Sequence, residues 1–136
     1  MNNYCLKIQL RYSDYDTQKF INHSKICTFI ETTYVYFLTE KINPSWNANN
    51  MPLVLRREIT DFLIPIELYS DPICVLTVLE VKGASFMLKI DVIDEKTNKM
   101  YVTCERVLVF IDVNSKKPMP IDALSKEKLN QFKSIS

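Results

Sequence analysis

Residues 22–44 read NHSKICTFIETTYVYFLTEKINP, and the architecture of the whole chain follows from them. Asn22 or Ser24 is placed to cap a helix, and Asn43-Pro44 ends it. Between these signals, seven mostly apolar residues recur at helical spacing and form one face of a helix of about five turns: Ile26, Phe29, Ile30, Thr33, Phe37, Leu38 and Ile42. This is the one long amphipathic helix in the sequence, so it is the element available to cover a sheet.

Strand patterns flank this helix on both sides. Residues 4–12 alternate in character, with Leu6, Ile8 and Leu10 on one face. After a loop at 43–52, four segments rich in branched residues predict strands: Leu53–Ile64, Ile73–Lys82, Ser85–Asp94 and Met100–Val113. Gly83 suits a tight turn, and a short helix is predicted over Ser125–Phe132. Strands joined by short turns pair antiparallel, so we expect one α+β domain over residues 1–136.

Composition excludes several classes of function. The formal net charge is +1, from 17 basic and 16 acidic residues, which argues against nucleic acid as a partner. One glycine in 136 residues rules out the glycine-rich loops that cradle phosphates. Four cysteines lie far apart without a CxxC pair, which predicts small core residues and neither a metal nor a redox site: Cys5, Cys27, Cys74 and Cys104. No cofactor is expected.

The N-terminal residues, MNNYCLKIQL, lack the basic start and long apolar stretch of a signal peptide. No apolar run approaches the roughly 20 residues that cross a bilayer. We therefore expect a cytoplasmic protein without a membrane segment.

Residues 11–34, RYSDYDTQKFINHSKICTFIETTY, resemble the opening of the 4-hydroxybenzoyl-CoA thioesterase family. That family's pattern is approximately R-x-x-D-x-D-x-x-G-H-V-N-N, followed by an aromatic-rich helix with a glutamate. The matches are Arg11, Asp14, Asp16, Ile21, Asn22 and Glu31, and later Pro65, Asp71, Gly83, Ser85 and Phe86. Lys19 replaces the usual glycine, Phe20 a frequent histidine and His23 a common asparagine. The resemblance covers about residues 4–122 and implies the hotdog fold, a five-stranded antiparallel sheet wrapped around one long central helix.

The resemblance also implies a catalytic site for acyl-CoA hydrolysis. Asp16 aligns with the family's catalytic aspartate, which acts as nucleophile or as general base. The backbone N–H of His23, seven residues later and next to Asn22, is the expected donor to the thioester carbonyl. Without the resemblance, turn contacts are the plainer interpretation of Asp16. A capping or solvent-facing role is the plainer interpretation of the His23 imidazole.

Three further residues are candidates for substrate binding. Lys82 lies beside the Gly83 turn, where related enzymes place basic residues that hold CoA phosphates, although a lysine in a hairpin is more often simply solvated. Ser85 belongs to the same turn. Glu31, at the family's glutamate position, faces either the site or a partner subunit; a surface role is equally compatible with the sequence.

The resemblance implies a homodimer or homotetramer with sites at the subunit interface. A second apolar face on the last strand, formed by Val107, Val109 and Ile111, would otherwise be exposed. The expected partner is an acyl-CoA or an acyl carrier protein thioester. The alternative function is a non-catalytic module that binds acyl thioesters. Hydration of an enoyl thioester normally uses a His-Asp pair and would have His23 alone.

Overall fold

The computed structural model describes residues 2–47 and 49–134 and contains a five-stranded sheet and a long helix. In chain order its elements are β1 (Tyr4–Lys7), α1 (His23–Phe37), β2 (Leu53–Phe62), β3 (Pro72–Val81), β4 (Ser85–Asp94), β5 (Met100–Phe110) and α2 (Ala123–Gln131). A π-helical turn over Leu38–Ile42 directly continues α1. The predicted order of one strand, one long helix and four strands is confirmed.

All strand pairs are antiparallel, and the spatial order of the sheet is β1-β3-β4-β5-β2. β3, β4 and β5 are hairpin neighbours, as the short turns predicted. β2 does not pair with the strand that follows it along the chain. It lies beyond β5 and forms one edge of the sheet, which leaves its outer backbone groups unpaired within the described chain. The predicted α+β architecture is confirmed.

α1 packs against one face of this sheet. Its buried side chains, Ile26, Ile30, Thr33 and Phe37, follow the helical spacing read from the sequence. They share one core with the inward-facing residues of the central strands, which include Cys74, Leu76, Leu88, Ile90 and Val102. Each large apolar side chain buried in this way contributes roughly 1.5–3 kcal/mol. This contact therefore fixes the position of α1 on the sheet.

β1 is shorter than predicted because its partner strand begins late. The β1–β3 ladder ends at the pair Lys7–Ile73, and Pro72 is the first residue of β3. The N–H of Ile8 still donates to the carbonyl of Pro72 over 3.2 Å. Beyond that point there is no strand to pair with, although Ile8 is buried and Leu10 packs against the core.

The outer face of β5 is not the exposed apolar patch that the sequence predicted. Val109 and Ile111 are buried, because β5 lies between two strands and the chain after it folds back to bridge Ile111 with Pro118. β5 accordingly ends at Phe110 and not at Val113. A run of exposed apolar residues lies instead on the edge strand and just beyond it: Val54, Leu55, Ile59, Phe62 and Leu63.

Two loop residues have plain structural roles. Gly83 lies in the turn between β3 and β4, but its φ is not positive, so the turn does not depend on glycine. Trp46 is buried and packs on Phe110, with ring centroids 5.5 Å apart. It fills a gap beside the sheet and does not line a pocket mouth.

Asp94 ties the β4–β5 hairpin to the loop before β3. Its carboxylate accepts hydrogen bonds from the backbone N–H groups of Asp71 and Thr97, each at 2.9 Å, and from the Thr97 hydroxyl. The hydroxyl of Tyr101 adds a longer contact at 3.4 Å. The two backbone donors, followed by the Thr97 hydroxyl, lower the pKa of Asp94 to about 2.

We predict that Asp94→Asn destabilises the protein at neutral pH and has little effect in acid. Because the pKa of Asp94 is lower in the folded chain than in the unfolded one, its stabilising contribution is present above about pH 4 and is lost as pH falls towards 2. Urea unfolding of both proteins between pH 7 and pH 2.5 measures the difference in the free energy of unfolding. A difference that stays constant over this range contradicts the assignment.

Candidate active site

The first aspartate of the D-x-D pair is structural. Asp14 is buried, and its carboxylate accepts hydrogen bonds from the Arg11 backbone N–H at 2.9 Å and from the Arg11 guanidinium at 3.3 Å. Lys25 approaches it at 3.9 Å. Burial alone would raise the pKa of Asp14, but these hydrogen bonds and the Arg11 charge outweigh it and hold the pKa below its usual value. Asp14 therefore anchors the loop to the first turns of α1.

Asp16 lies in a tight loop. The geometry of this loop explains why the pattern that the sequence resembles has glycine at the position of Lys19. The chain reverses between two backbone hydrogen bonds, from Asp16 N–H to Phe20 O and from Lys19 N–H to Asp16 O. Lys19 has φ of 66°, the left-handed region that glycine adopts most easily. A bridge between Phe20 and Glu67 holds this loop against the segment that follows β2.

The Asp16 carboxylate is exposed and is oriented by its own loop. Its Oδ1 accepts hydrogen bonds from the N–H groups of Gln18, at 2.9 Å, and Phe20, at 3.2 Å. These are the turn contacts that a non-catalytic interpretation predicts. Among the residues that the structure describes, Oδ2 accepts no hydrogen bond, so one carboxylate oxygen is available to a reacting group.

Asn22 caps α1; the sequence had predicted either Asn22 or Ser24 as the cap. Its Oδ1 accepts hydrogen bonds from the backbone N–H of Ser24 at 2.8 Å and from the Ser24 hydroxyl at 2.9 Å. The next two backbone N–H groups, of Lys25 and Ile26, donate to the Asn22 carbonyl. Within the described ranges, the His23 N–H at the first helical position makes no hydrogen bond. An unpaired N–H at the positive end of a helix suits a developing oxyanion.

Asp16, Asn22 and His23 line one cleft of about 410 Å³. The rest of its wall is mainly apolar and comes from the loop, the first turns of α1 and the end of β2: Gln18, Phe20, Ile21, Ile26, Phe62, Leu63, Ile64 and Pro65. The structure thus brings a carboxylate and the start of a helix to an apolar cleft. Such a site can hold an acyl group while a carboxylate acts on its carbonyl.

The His23 imidazole stacks on the ring of Phe62, with centroids 4.2 Å apart and planes at 16°. It therefore forms part of the cleft wall and spans from α1 to β2. A capping role does not describe it, because Asn22 makes the cap.

Lys82 and Ser85 line a different groove, of about 400 Å³. Arg56 and Arg57 lie in the same groove, and Glu80 is its one acidic residue, 3.9 Å from the Lys82 ammonium. Sequence reasoning missed the two arginines. They come together because β2 has an irregularity between Leu55 and Arg57, at which one extra residue enters the strand.

Glu31 lines neither of these clefts. Its carboxylate lies 3.8 Å from Arg106, an arginine on β5 that is 3% exposed. Arg106 donates to Glu58 of β2 and lies over the ring of Tyr34. Burial alone would raise the pKa of Glu58, but the Arg106 charge outweighs it and keeps that pKa below its usual value. One feature of the sequence could have indicated this cluster. Arg106 is a charged residue on the inward face of β5, where the residues on either side of it, Cys104 and Leu108, are apolar.

The described part of the chain contains no group of three or more metal-ligating side chains placed to hold a metal ion. The four cysteines are free thiols. Cys74 and Cys104 are buried, as predicted, but Cys27 is half-buried and Cys5 is exposed, so the prediction of core residues is wrong for Cys5. None of the helices described is long and apolar enough to cross a membrane.

No protein-family model matches the chain, and no curated protein matches its sequence. Solved structures do match its fold. A predicted thioesterase from Bacillus stearothermophilus superposes with a TM-score of 0.87 at 15% identity, over 98% of each chain. A thioesterase from Thermus thermophilus, solved with coenzyme A and Zn, gives 0.80 at 18% identity, over 93% of this chain and 96% of that one.

A 1,4-dihydroxy-2-naphthoyl-CoA thioesterase from Synechocystis matches with a TM-score of 0.81 at 12% identity, over 96% of this chain and 98% of that one. Likeness at this level of identity concerns architecture. The superpositions extend over nearly the whole chain, and the chain therefore has the hotdog fold.

Proposed function

We propose that this protein hydrolyses acyl-CoA thioesters, with Asp16 as nucleophile or general base. The observation that carries the proposal is the shared cleft of the Asp16 carboxylate and the unpaired His23 N–H at the start of α1. The names of the matching solved structures support the same chemistry. The proposed enzyme is cytoplasmic and uses no cofactor.

The two groups have complementary roles in this reaction. The His23 N–H donates a hydrogen bond to the thioester oxygen as negative charge develops on it. In one route Asp16 Oδ2 attacks the carbonyl carbon, the C–S bond breaks, CoA leaves as the thiolate, and water then hydrolyses the mixed anhydride. In the other, Oδ2 removes a proton from a water that attacks the carbon and expels the CoA thiolate. Oδ1 stays bonded to Gln18 and Phe20 in both routes. Asn22 positions the donor by capping the helix. Phe62 and Leu63 offer apolar contacts to the acyl group.

A second candidate function is binding of an acyl thioester without hydrolysis. It is favoured by the exposure of Asp16 and by the two loop N–H groups that already bind its carboxylate. In this case the cleft holds the substrate and releases no CoA.

Asp16→Asn separates the two functions. We expect the substitution to lower kcat for acyl-CoA hydrolysis by at least about a hundredfold, the usual loss when a general base or nucleophile is removed. Release of CoA from short, long and aryl acyl-CoAs is followed with a thiol reagent. Asp91→Asn, on the outer face of β4, is the matched control and retains activity. If the wild type releases no more CoA than Asp16→Asn, the hydrolytic function is contradicted.

We further propose that two copies pair through β2. This strand is an edge of the sheet and carries the exposed apolar residues Leu55, Ile59 and Phe62. Long exposed apolar edges favour pairing with another strand. A partner with the same sequence also completes the hydrogen-bonding of the edge.

The charges on β2 specify the register of this pairing. Antiparallel pairing about a two-fold axis at Ile59 places Arg57 opposite Asp61 of the partner subunit, with both on the outer face. Beyond the irregularity, it places Leu55 opposite the partner subunit's Phe62. An axis at Glu58 would instead set two carboxylates against each other. The register at Ile59 is therefore the one that we propose, for a dimer or for the dimers within a tetramer.

Charge exchange tests this interface. Arg57→Asp or Asp61→Arg alone places like charges opposite each other and weakens the dimer, whereas the double variant restores the pairing. Sedimentation velocity measures the dimer dissociation constant, for which we expect roughly a tenfold increase in each single variant. A monomeric wild type, or a double variant no tighter than the single ones, contradicts the register.

The proposed pairing also gives a role to Lys82 and Ser85. It sets the end of β2 in one subunit beside the partner subunit's Leu55, which directly precedes Arg56 of the groove that contains Lys82 and Ser85. A CoA whose thioester lies at Asp16 can then extend its phosphates across the interface. With Arg57 paired to Asp61 of the partner subunit, Arg56 and Lys82 remain against Glu80, and this basic excess suits that anionic end.

Lys82→Ala tests the phosphate contact. We expect KM for an acyl-CoA to rise about fivefold, the effect of losing one exposed charge contact of ~1 kcal/mol, with kcat unchanged. The same acyl group on pantetheine, which lacks the nucleotide, should show no change. Lys99→Ala in the β4–β5 hairpin is the control. Equal effects on both substrates contradict a phosphate-binding role.

A further inference from the structure

The stacked rings of His23 and Phe62 form a wall across one end of the Asp16 cleft. Their centroids are 4.2 Å apart and their planes are inclined by 16°, so the two faces are in contact and no acyl chain fits between them. His23 is the first residue of α1, and Phe62 is the last residue of β2. The wall therefore joins the two elements that border the cleft on this side.

The residues that line the cleft indicate that it ends at this wall. On the strand side they run from Phe62 to Pro65, and no earlier residue of β2, a strand that the structure describes in full, is among them. Ile21 and Ile26 close the floor, because each is only 4% exposed. An acyl chain that starts at Asp16 is therefore confined by the floor and by the stacked rings.

Beyond the wall, the same two surfaces become polar. Cys27 lies one turn further along α1 and Thr60 two residues back along β2, and both are half-buried. The Thr60 hydroxyl donates to the Glu58 carboxylate over 3.0 Å. Another turn along α1 lies Glu31, whose carboxylate is 3.8 Å from Arg106. An apolar tail that passed the wall would displace water from these charges without replacing its hydrogen bonds, which is unfavourable.

The wall stands close to the reacting carbon, because His23 contributes to both places. Its backbone N–H is the proposed donor to the thioester oxygen, at the usual distance of about 3 Å, and its imidazole is half of the wall. A histidine ring lies within about 5 Å of its own backbone nitrogen, so the wall is within about 8 Å of the thioester carbon. Three bonds of an extended chain span about 3.8 Å, so this distance corresponds to about six bonds.

From this geometry we infer that the His23–Phe62 wall limits the acyl group to about six carbons, so that the substrates are short-chain acyl thioesters. The inference rests on the proposed function. Up to that length, each added methylene group leaves water for the apolar surface of Ile26, Phe62 or Leu63 and strengthens binding. Methylene groups beyond that length meet the wall and add nothing.

A series of straight-chain acyl-CoAs from acetyl to dodecanoyl tests the inference. For the wild type we expect kcat/KM to rise roughly threefold with each methylene group up to hexanoyl-CoA and to level off beyond it. In Phe62→Ala, the space left by the ring holds about two more methylene groups, so kcat/KM for octanoyl-CoA should exceed that for hexanoyl-CoA about tenfold. His23→Ala keeps the backbone N–H and should change this ratio in the same direction.

Leu55→Ala is the matched control. In the proposed dimer Leu55 lies opposite Phe62 of the partner subunit, so both substitutions weaken the same contact between copies, but Leu55 does not line the cleft. This variant should keep the wild-type ratio of octanoyl-CoA to hexanoyl-CoA. The inference is overturned by a wild type whose kcat/KM still rises at decanoyl-CoA, by an unchanged ratio in Phe62→Ala, or by an equal change in Leu55→Ala.

Calorimetry with the Asp16→Asn protein separates this inference from the proposed function. If the wild type releases CoA from none of these substrates, but the affinity of Asp16→Asn rises to hexanoyl-CoA and then levels off, the hydrolytic function fails and the length limit stands. If the wild type hydrolyses the series and neither kcat/KM nor affinity levels off, the length limit fails and the function stands.

Discussion

The packing of α1 across the inner face of the sheet holds every part of the candidate site in place. Ile30 and Phe37 are fully buried in that contact, so the helix cannot slide along the strands without losing core burial. Its fixed position sets the start of the helix, capped by Asn22, beside the loop that carries Asp16. One apolar contact thus provides both stability and the geometry of a carboxylate next to an unpaired N–H.

The edge strand β2, unlike α1, is only partly covered by the rest of the chain. It forms one wall of the cleft through Phe62, yet its outer backbone groups and several apolar side chains are exposed in the single chain. Its charges, with Arg57 and Asp61 equidistant from Ile59, suit pairing with an identical strand. In the proposed dimer, the basic groove of one copy lies beside the cleft of the other, so the proposed assembly and the proposed substrate binding depend on the same strand.

Polar groups under α1 distinguish this interior from a purely apolar core. Arg106 and Glu58 form an ion pair at 2.9 Å that ties β5 to β2, and Tyr34 covers the guanidinium. A buried pair of this kind adds little to stability compared with apolar residues of the same size.

The sequence by itself determined the fold class, the long helix with a cap at Asn22 or Ser24 and the position of Asp16 before that helix, because helical period, capping residues and turn residues are local properties. It misplaced the end of β1 and the exposed apolar face, since both depend on which strand lies beside which. Arg56, Arg57 and Arg106 acquired their roles from the tertiary structure alone. Strand order and the direction in which each side chain points decide which distant charges meet, and neither property is encoded in local spacing.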